Sequence, residues 1–172
     1  MQMVKKIVII AVVFFLSFII LAPKERLIFL AEEKFAQNDI ILSNEVTKAK
    51  LMGVEIANGE ISIKGISVGK IDTIDIFSML FYSSVDVENI KLDEASKGMI
   101  PISEFNLSLS HSLFSPKSLH LVLQHGANEV DADITFMDEG QLRIEVDDIN
   151  GSEWLKPMMK KDENGWYYET AI

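Results

Sequence analysis

Residues 118–147 read SLHLVLQHGANEVDADITFMDEGQLRIEVD, and apolar and polar side chains alternate along most of this stretch. The alternation comes in three runs, which begin at Leu119, Val130 and Leu142. A period of two residues is typical of strands that bury one face and expose the other. The stretch therefore predicts three antiparallel strands of a mainly β protein.

Short loops between these runs fix how the three strands pair. A two-residue loop at 126–127 and a three-residue loop at 138–140 are both common hairpin lengths. With these loops, every apolar residue of the three runs falls on one face of the sheet. The predicted apolar pairs are Leu121 with Ala132 and Ile134 with Ile144.

The same pairing collects acidic side chains on the opposite face. Asp133 falls opposite Glu145, Asp131 falls opposite Asp147, and His120 falls opposite Asp133. Like charges directly across two strands are destabilising. We interpret this acidic face as a solvated surface, with a calcium-type cation site or a docking site for a basic partner as the alternatives. No other metal site is predicted.

Upstream, a second hairpin is predicted around Asn58-Gly59. Apolar residues alternate from Met52 to Ile56 and again from Ile61 to Ile63. Asn-Gly is a strong signal for a two-residue hairpin turn, because both of its residues adopt positive φ readily. The hairpin places Ile56 opposite Ile61.

Other parts of residues 39–172 complete the prediction of a twisted, mostly antiparallel β-domain. The apolar phase changes near Gly65 and Gly69, where glycine permits a β-bulge. Residues 77–82 are too apolar for a surface loop and predict a buried helical turn. The further predicted elements are strands at 85–92 and 100–109, a short helix within 154–161 interrupted by Pro157, and a last strand at 165–172.

At the amino end, residues 7–22 read IVIIAVVFFLSFIILA and contain no charge. At roughly 1.5 Å per residue, a helix of this length covers about 24 Å of a hydrocarbon core of about 30 Å, so it spans a bilayer only narrowly. The predicted transmembrane helix runs from Ile7 to Ala22, with Phe14 and Phe15 near its centre.

Residues 1–23 accordingly predict a signal anchor, and residues 24–38, with apolar side chains at helical spacing, predict a membrane-proximal helix. A cleaved signal peptide is the alternative, but Ile20 is too large for a cleavage motif that needs small residues. The basic pair Lys5-Lys6 predicts a cytoplasmic amino end, with the β-domain on the other side of the membrane.

The charge of the body restricts its partners. The 172-residue chain has a net charge of −10, and residues 27–172 hold 12 basic and 25 acidic residues, a net charge of −13. Such a surface repels phosphate backbones, so no nucleic-acid partner is predicted. Cysteine is absent, which excludes disulfides and thiolate chemistry.

Signals for catalysis are weak. Among the histidines His111, His120 and His125, the last two fall on opposite faces of their predicted strand, which argues against a joint metal site. Ser67 and Lys70 have the Ser-x-x-Lys spacing, but on a predicted strand rather than on the helix that this chemistry needs. We therefore predict neither enzyme activity nor a cofactor.

Residues 53–94, GVEIANGEISIKGISVGKIDTIDIFSMLFYSSVDVENIKLDE, follow the predicted anchor and helix. This arrangement resembles the opening of the type II secretion system protein N family, and it is similar to the start of AsmA-like envelope proteins. The matching positions are Gly65 to Val68, Ile76 to Leu80 and Val85 to Leu92. The resemblance implies an inner-membrane protein of a Gram-negative envelope with a periplasmic β-domain.

Two functional hypotheses follow from the resemblance. The first is a non-enzymatic component of a protein secretion or related envelope assembly, which binds other envelope proteins through its β-domain. The second is a lipid-handling module whose sheet offers its apolar face to acyl chains. They differ in whether this face is an open groove or a core closed by a helix and the aromatic residues Trp154, Trp166, Tyr167 and Tyr168.

Overall fold

The computed structural model describes residues 39–94, 96, 101–137, 140–149, 152–163 and 165–171, together with Glu33, Ala36 and Gln37. Most of the predicted membrane-proximal helix lies outside these residues, as does the whole predicted anchor with Ile7, Phe14, Phe15 and Ala22. Within the described residues, no helix combines the length and the apolar character that crossing a membrane requires.

Eleven strands and a 3-10 helix, Glu153–Met158, make up the described fold. The strands are β1 (Ile40–Ser43), β2 (Val46–Lys50), β3 (Gly53–Ile63), β4 (Ile66–Ser78), β5 (Tyr82–Leu92), β6 (Glu104–Ser112), β7 (Ser118–His125), β8 (Asn128–Phe136), β9 (Gln141–Val146), β10 (Lys160–Lys161) and β11 (Trp166–Ala171).

All eleven strands belong to one twisted antiparallel sheet, as predicted for a mainly β protein. β3 to β9 follow one another across the sheet in chain order. Five of the six connections between them have two to five residues, as in hairpins, and the β5–β6 connection has eleven. β1 and β2 both pair with β3 at one edge. β11 pairs with β9 and carries β10 at the other edge.

The pairing predicted for β7, β8 and β9 is confirmed. Gly126 and Gly140 have φ of 62° and 72°, so glycine supplies the left-handed backbone that these short loops require. The apolar pairs are those predicted, Leu121 with Ala132 and Ile134 with Ile144.

The predicted Asn58-Gly59 hairpin is wrong. β3 continues through these two residues, and the turn into β4 is at Lys64-Gly65. Lys64 and Gly65 have φ of 52° and 77°, and positive φ at both central residues suits the twist of a two-residue hairpin. Ile56 consequently pairs with Ile74 and not with Ile61.

Asn58 instead marks a kink that three neighbouring strands share. Asn58 on β3 and Asn89 on β5 have φ of 60° and 53°, and in the register both fall opposite Asp72 of the intervening strand β4. A left-handed residue within a strand shifts the alternation of side chains by one, as a bulge does. Apolar residues on the two sides of the kink therefore stay on one face: Ile56 and Ile61, Ile74 and Ile71, Val87 and Ile90.

Of the two glycines predicted to lie at bulges, Gly65 is in the turn and Gly69 lies beside a register shift. The shift falls between Ile61 and Ser62 of β3, and Gly69 pairs with Ile61. A Cβ atom at Gly69 would lie 2.6 Å from the carbonyl oxygen of Lys91. Glycine is needed here because the two backbones approach too closely for a side chain.

Residues 77–82 do not form the predicted buried helical turn. β4 ends at Ser78, β5 begins at Tyr82, and the Met79 N–H donates to the Tyr82 carbonyl at 2.8 Å in a tight connection. The side chains from Met79 to Phe81 are 44% to 53% exposed. The apolar run was expected to be buried, but it projects from the end of the sheet.

The remaining predicted elements are present with shifted bounds: β5 for 85–92, β6 for 100–109, the 3-10 helix for 154–161 and β11 for 165–172. β6 begins only at Glu104. The helix is short and of the 3-10 type, and it contains Pro157, which lacks the N–H that a longer α-helix would use.

Candidate functional site

An unbroken row of apolar side chains crosses the sheet. Each member is the direct cross-strand partner of the next, so all point to the same face. We call the face that carries this row the apolar face. The row consists of Val54, Ile76, Val85, Leu109, Leu121, Ala132, Val146 and Trp166, on eight strands.

A second row runs beside the first and extends the same face. It consists of Ile56, Ile74, Val87, Leu107, Leu123 and Val130, again as direct partners. With neighbouring strands about 4.8 Å apart, the first row spans roughly 34 Å. The apolar face is therefore a broad surface and not a local patch.

Side chains of the apolar face are least buried at the centre of the sheet, where a packed core would bury them most. Val54 near one edge and Val146 near the other are 2% and 4% exposed. No residue of β6 or β7 is buried, although these are central strands of the sheet. A domain with a second layer packs that layer over the middle of the sheet. In the part of the chain that the structure describes, the middle of the apolar face lacks such a cover.

The 3-10 helix covers only one side of the face. Leu155 and Met159, in and just after the helix, pack with Trp166 against a cluster that contains Val146 and Ile149. This packing explains the burial near β8 and β9 and stops short of β6. The half-buried leucines of β6 and β7 lie between this cluster and the cluster of Val54 and Ile56 near the other edge.

The four aromatic residues predicted to close a core do not act together. Trp166 joins the cluster under the 3-10 helix, and Trp154 is half-buried within that helix. Tyr168 is 42% exposed. Tyr167 lies on the opposite face, where the Arg143 guanidinium stacks 4.1 Å from the centre of its ring.

On the opposite face, the predicted acidic row is present. Asp133 pairs with Glu145, and the Asp147 N–H donates to the Asp131 carbonyl at 3.4 Å. His120 lies between two of these carboxylates, with Nδ1 3.1 Å from Asp133 Oδ1 and Nε2 3.6 Å from Asp131 Oδ1. The imidazole is within hydrogen-bond distance of Asp133 and lies beside Asp131, so it separates the two carboxylates.

Arg143 is the residue on this face that the sequence did not single out. Its guanidinium contacts Glu145 Oε1 at 2.8 Å, Asp162 Oδ2 at 2.7 Å and Glu169 Oε1 at 2.7 Å. Hydrogen bonds to these three carboxylates, that of Glu145 first, raise the pKa of Arg143 above its ordinary value. Two of the three acids come from the carboxy-terminal segment, so no local spacing could have indicated the cluster.

The acidic row is thus occupied by basic partners from the chain itself. Three of its four carboxylates have a histidine or arginine neighbour within 3.6 Å. Among the described residues, no group of three or more acidic or histidine side chains has the arrangement to hold a metal ion. Because His120 and Arg143 lie beside these acids, a solvated surface stays the prediction for this face.

Two further features carry no site. Ser67 donates to Asp93 at 2.6 Å and Lys70 pairs with Glu60 at 3.0 Å, so the Ser-x-x-Lys residues have separate partners on a strand. A depression of about 270 Å³ lies between β5 and β6 near Asn89. It is smaller than the roughly 300–1,000 Å³ of typical ligand pockets.

The chain matches no protein-family model, no curated protein and no solved structure. The likeness to the secretion protein N family and to AsmA-like proteins therefore stays a prediction. Function has to be inferred from the geometry of the two faces of the sheet.

Proposed function

We propose that the apolar face binds the acyl chains of lipids, and that the chain is a non-enzymatic lipid-handling module of the cell envelope. One observation carries the proposal. Leu107, Leu109, Leu121 and Leu123 occupy the centre of the sheet, and all four are only half-buried. Apolar surface left in water is unfavourable, and a contiguous patch of this kind marks a binding surface.

The composition of the two rows favours acyl chains over a peptide as the occupant. From β3 to β9, the rows contain only aliphatic side chains and no hydrogen-bonding group. An extended peptide would bring backbone N–H and C=O groups onto this surface, and burying them without partners is costly. An acyl chain has no such groups and loses nothing there.

The dimensions also suit this ligand. An acyl chain spans about half of the roughly 30 Å hydrocarbon core of a bilayer, and the first apolar row spans roughly 34 Å. The coordinated kink at Asn58 and Asn89 keeps aliphatic side chains on its two sides on one face, among them Ile61, Ile71 and Ile90. The face therefore has room for one or more chains.

A component of a protein secretion assembly remains the other hypothesis. Under this hypothesis, the apolar face would be covered by a packed core and the binding surface would lie on another part of the domain. The half-buried centre of the sheet argues for the lipid-handling alternative, and no contact among the described residues favours the secretion role over it.

Photocrosslinking tests the proposal on the full chain. The protein is reconstituted in phosphatidylcholine vesicles that contain a phospholipid with a diazirine near the end of one acyl chain, irradiated, and mapped residue by residue by mass spectrometry. We expect crosslinks at Leu107, Leu109 and Leu121 in addition to any in the predicted anchor at 7–22. Crosslinks confined to 7–22 would overturn the proposal.

A pair of matched variants separates binding from folding. Leu109→Asn with Leu121→Asn places two amides in the centre of the apolar face, and we expect crosslinks on β6 and β7 to fall at least tenfold. Ser110→Asn with Val122→Asn places two amides on the opposite face of the same strands and should leave crosslinking unchanged. If the first variant fails to fold, competition of wild-type crosslinking by oleate replaces it. Crosslinks that resist excess oleate would contradict the proposal.

A further inference from the structure

Exposed apolar side chains concentrate at one end of the sheet. In an antiparallel meander, alternate connections lie at the same end, so the β2–β3, β4–β5, β6–β7 and β8–β9 turns are neighbours. Nine of the 15 exposed large apolar side chains in the described residues belong to these turns or to the strand ends beside them. We call this part of the molecule the apolar end.

Two turns form the most prominent part of the apolar end. Phe114 in the β6–β7 turn is 85% exposed, and Phe81 in the β4–β5 turn is 53% exposed. Their rings stack with centroids 6.2 Å apart and an interplanar angle of 18°. The Leu113 N–H donates to the Phe81 carbonyl at 3.0 Å, so the two turns are held together as one unit.

Several backbone N–H groups at the apolar end are paired within the molecule. The N–H groups of Met79 and Leu113 donate at 2.8 and 3.0 Å, and that of Ser115 donates to the Ser112 carbonyl at 3.0 Å. In the neighbouring turn, the N–H of Met137 donates to the Gln141 carbonyl at 2.8 Å. A surface that enters lipid finds no hydrogen-bonding partners there, so its backbone groups have to be paired within the molecule.

The two prominent turns are also free of acidic residues. Residues 76–85 contain no charged side chain, and residues 105–119 contain Lys117 as the only Lys, Arg, Asp or Glu. The body from residue 27 onward has a net charge of −13. The β8–β9 turn differs, because it contains Asp138 and Glu139. The β4–β5 and β6–β7 turns thus lack acidic side chains on an otherwise acidic protein.

We infer that the apolar end inserts into the surface of a lipid bilayer, with Phe81 and Phe114 as the deepest side chains. The turns that carry these two side chains hold no acidic residue, and several of their N–H groups are paired within the molecule. Both features lower the cost of entering the headgroup region, where exposed aromatic side chains are favoured. The inference is independent of acyl-chain binding by the apolar face, since it concerns the turns at one end. Binding is driven by apolar contact, so it requires no anionic lipid.

The apolar end is also the end farther from the start of the domain. The described domain begins beside the β3–β4 turn, where the Lys64 N–H donates to the Asp39 carbonyl at 2.9 Å. β3 and β4 contain 11 and 13 residues, which at about 3.3 Å per residue separate the two ends by roughly 35–40 Å. The apolar end, where we place the bilayer surface, therefore lies about one strand length from residue 39.

A single introduced cysteine tests this in the full chain, which has no cysteine of its own. Phe114→Cys and, at the opposite end, Ile66→Cys are each labelled with the fluorophore NBD; Ile66 is 61% exposed and serves as the matched control. The labelled protein is reconstituted in phosphatidylcholine vesicles, and vesicles with brominated acyl chains are used as the host membrane or added separately. We expect the label at position 114 to shift to shorter wavelength and to be quenched severalfold, and the label at position 66 to be unaffected.

Each other outcome overturns the inference. Absence of quenching at position 114 in both arrangements would show that the end stays in water. A blue shift without vesicles that disappears on dilution would identify a second copy of the chain as the occupant. A requirement for phosphatidylglycerol would indicate electrostatic binding. As a second variant, Leu80→Ser with Phe81→Ser in the Phe114→Cys background should reduce quenching at least tenfold, and these exposed positions leave the sheet intact.

Discussion

Leu109 on β6 lies directly opposite Leu121 on β7 in the middle of an eleven-stranded sheet, and both leucines are only half-buried. The pair shows that the sheet is not organised around a single central core. Burial is instead divided among three clusters of buried residues, one under the 3-10 helix and two around β3, β4 and β5. Stability should therefore depend on residues near the edges more than on those at the centre.

Truncation of apolar residues should lower the free energy of unfolding least at the centre of the sheet. Ile56→Ala removes a side chain that is 5% exposed, and we expect it to lower the free energy of unfolding by about 2–4 kcal/mol. Leu109→Ala, at a half-buried position, should cost about 1 kcal/mol or less in the absence of lipid. Urea denaturation measures both. Equal losses at the two positions would mean that the centre of the face is packed.

The kink should depend on the backbone conformation of Asn58. Asn58 is exposed and has φ of 60°, a region that β-branched residues avoid. We expect Asn58→Val to cost about 1–2 kcal/mol, because a side chain branched at Cβ is strained there, and Asn58→Gly to be nearly neutral. The control is Glu88→Val at an exposed strand position without positive φ, which should not destabilise. A harmless Asn58→Val would contradict the assigned kink.

Arg143 should contribute more to stability than an ordinary surface cation. It joins β9 to β11 and to Asp162 through three carboxylates and the ring of Tyr167. Arg143→Met should lower the midpoint of urea denaturation clearly, since three acids lose their shared partner. Lys91→Met, which breaks the single exposed contact with Asp72 at 3.1 Å, should have a much smaller effect. The prediction fails if the two variants unfold at the same midpoint.

Divalent cations should not stabilise the protein. His120 and Arg143 already lie beside Asp131, Asp133 and Glu145, and the described residues offer no set of carboxylates that converges on one point. Calcium, magnesium and a chelator should all leave the melting temperature unchanged. A rise of several degrees with calcium, reversed by the chelator, would restore the cation site on the acidic face.

Much of the fold could be predicted because alternation is a local property of the sequence. In β7, β8 and β9, loop length and alternation specify the same register, so both the apolar pairs and the acidic row were found. Upstream, two signals competed. Asn58-Gly59 and Lys64-Gly65 can each form a two-residue turn. The position of the turn is decided by the pairing of β3 with β4 along their whole length, which the sequence of either turn does not reveal.

The sequence by itself determined a mainly β protein, the polar and apolar faces of its strands, and the acidic body, because these follow from residue type and a two-residue period. Only the tertiary structure decided which surfaces stay in contact with solvent. The half-buried centre at Leu109 and Leu121, the three partners of Arg143 and the stacked pair of Phe81 and Phe114 all join residues from different strands or turns. Exposure depends on what packs over a side chain, and an apolar residue has the same local pattern whether it faces a core, a ligand or a membrane.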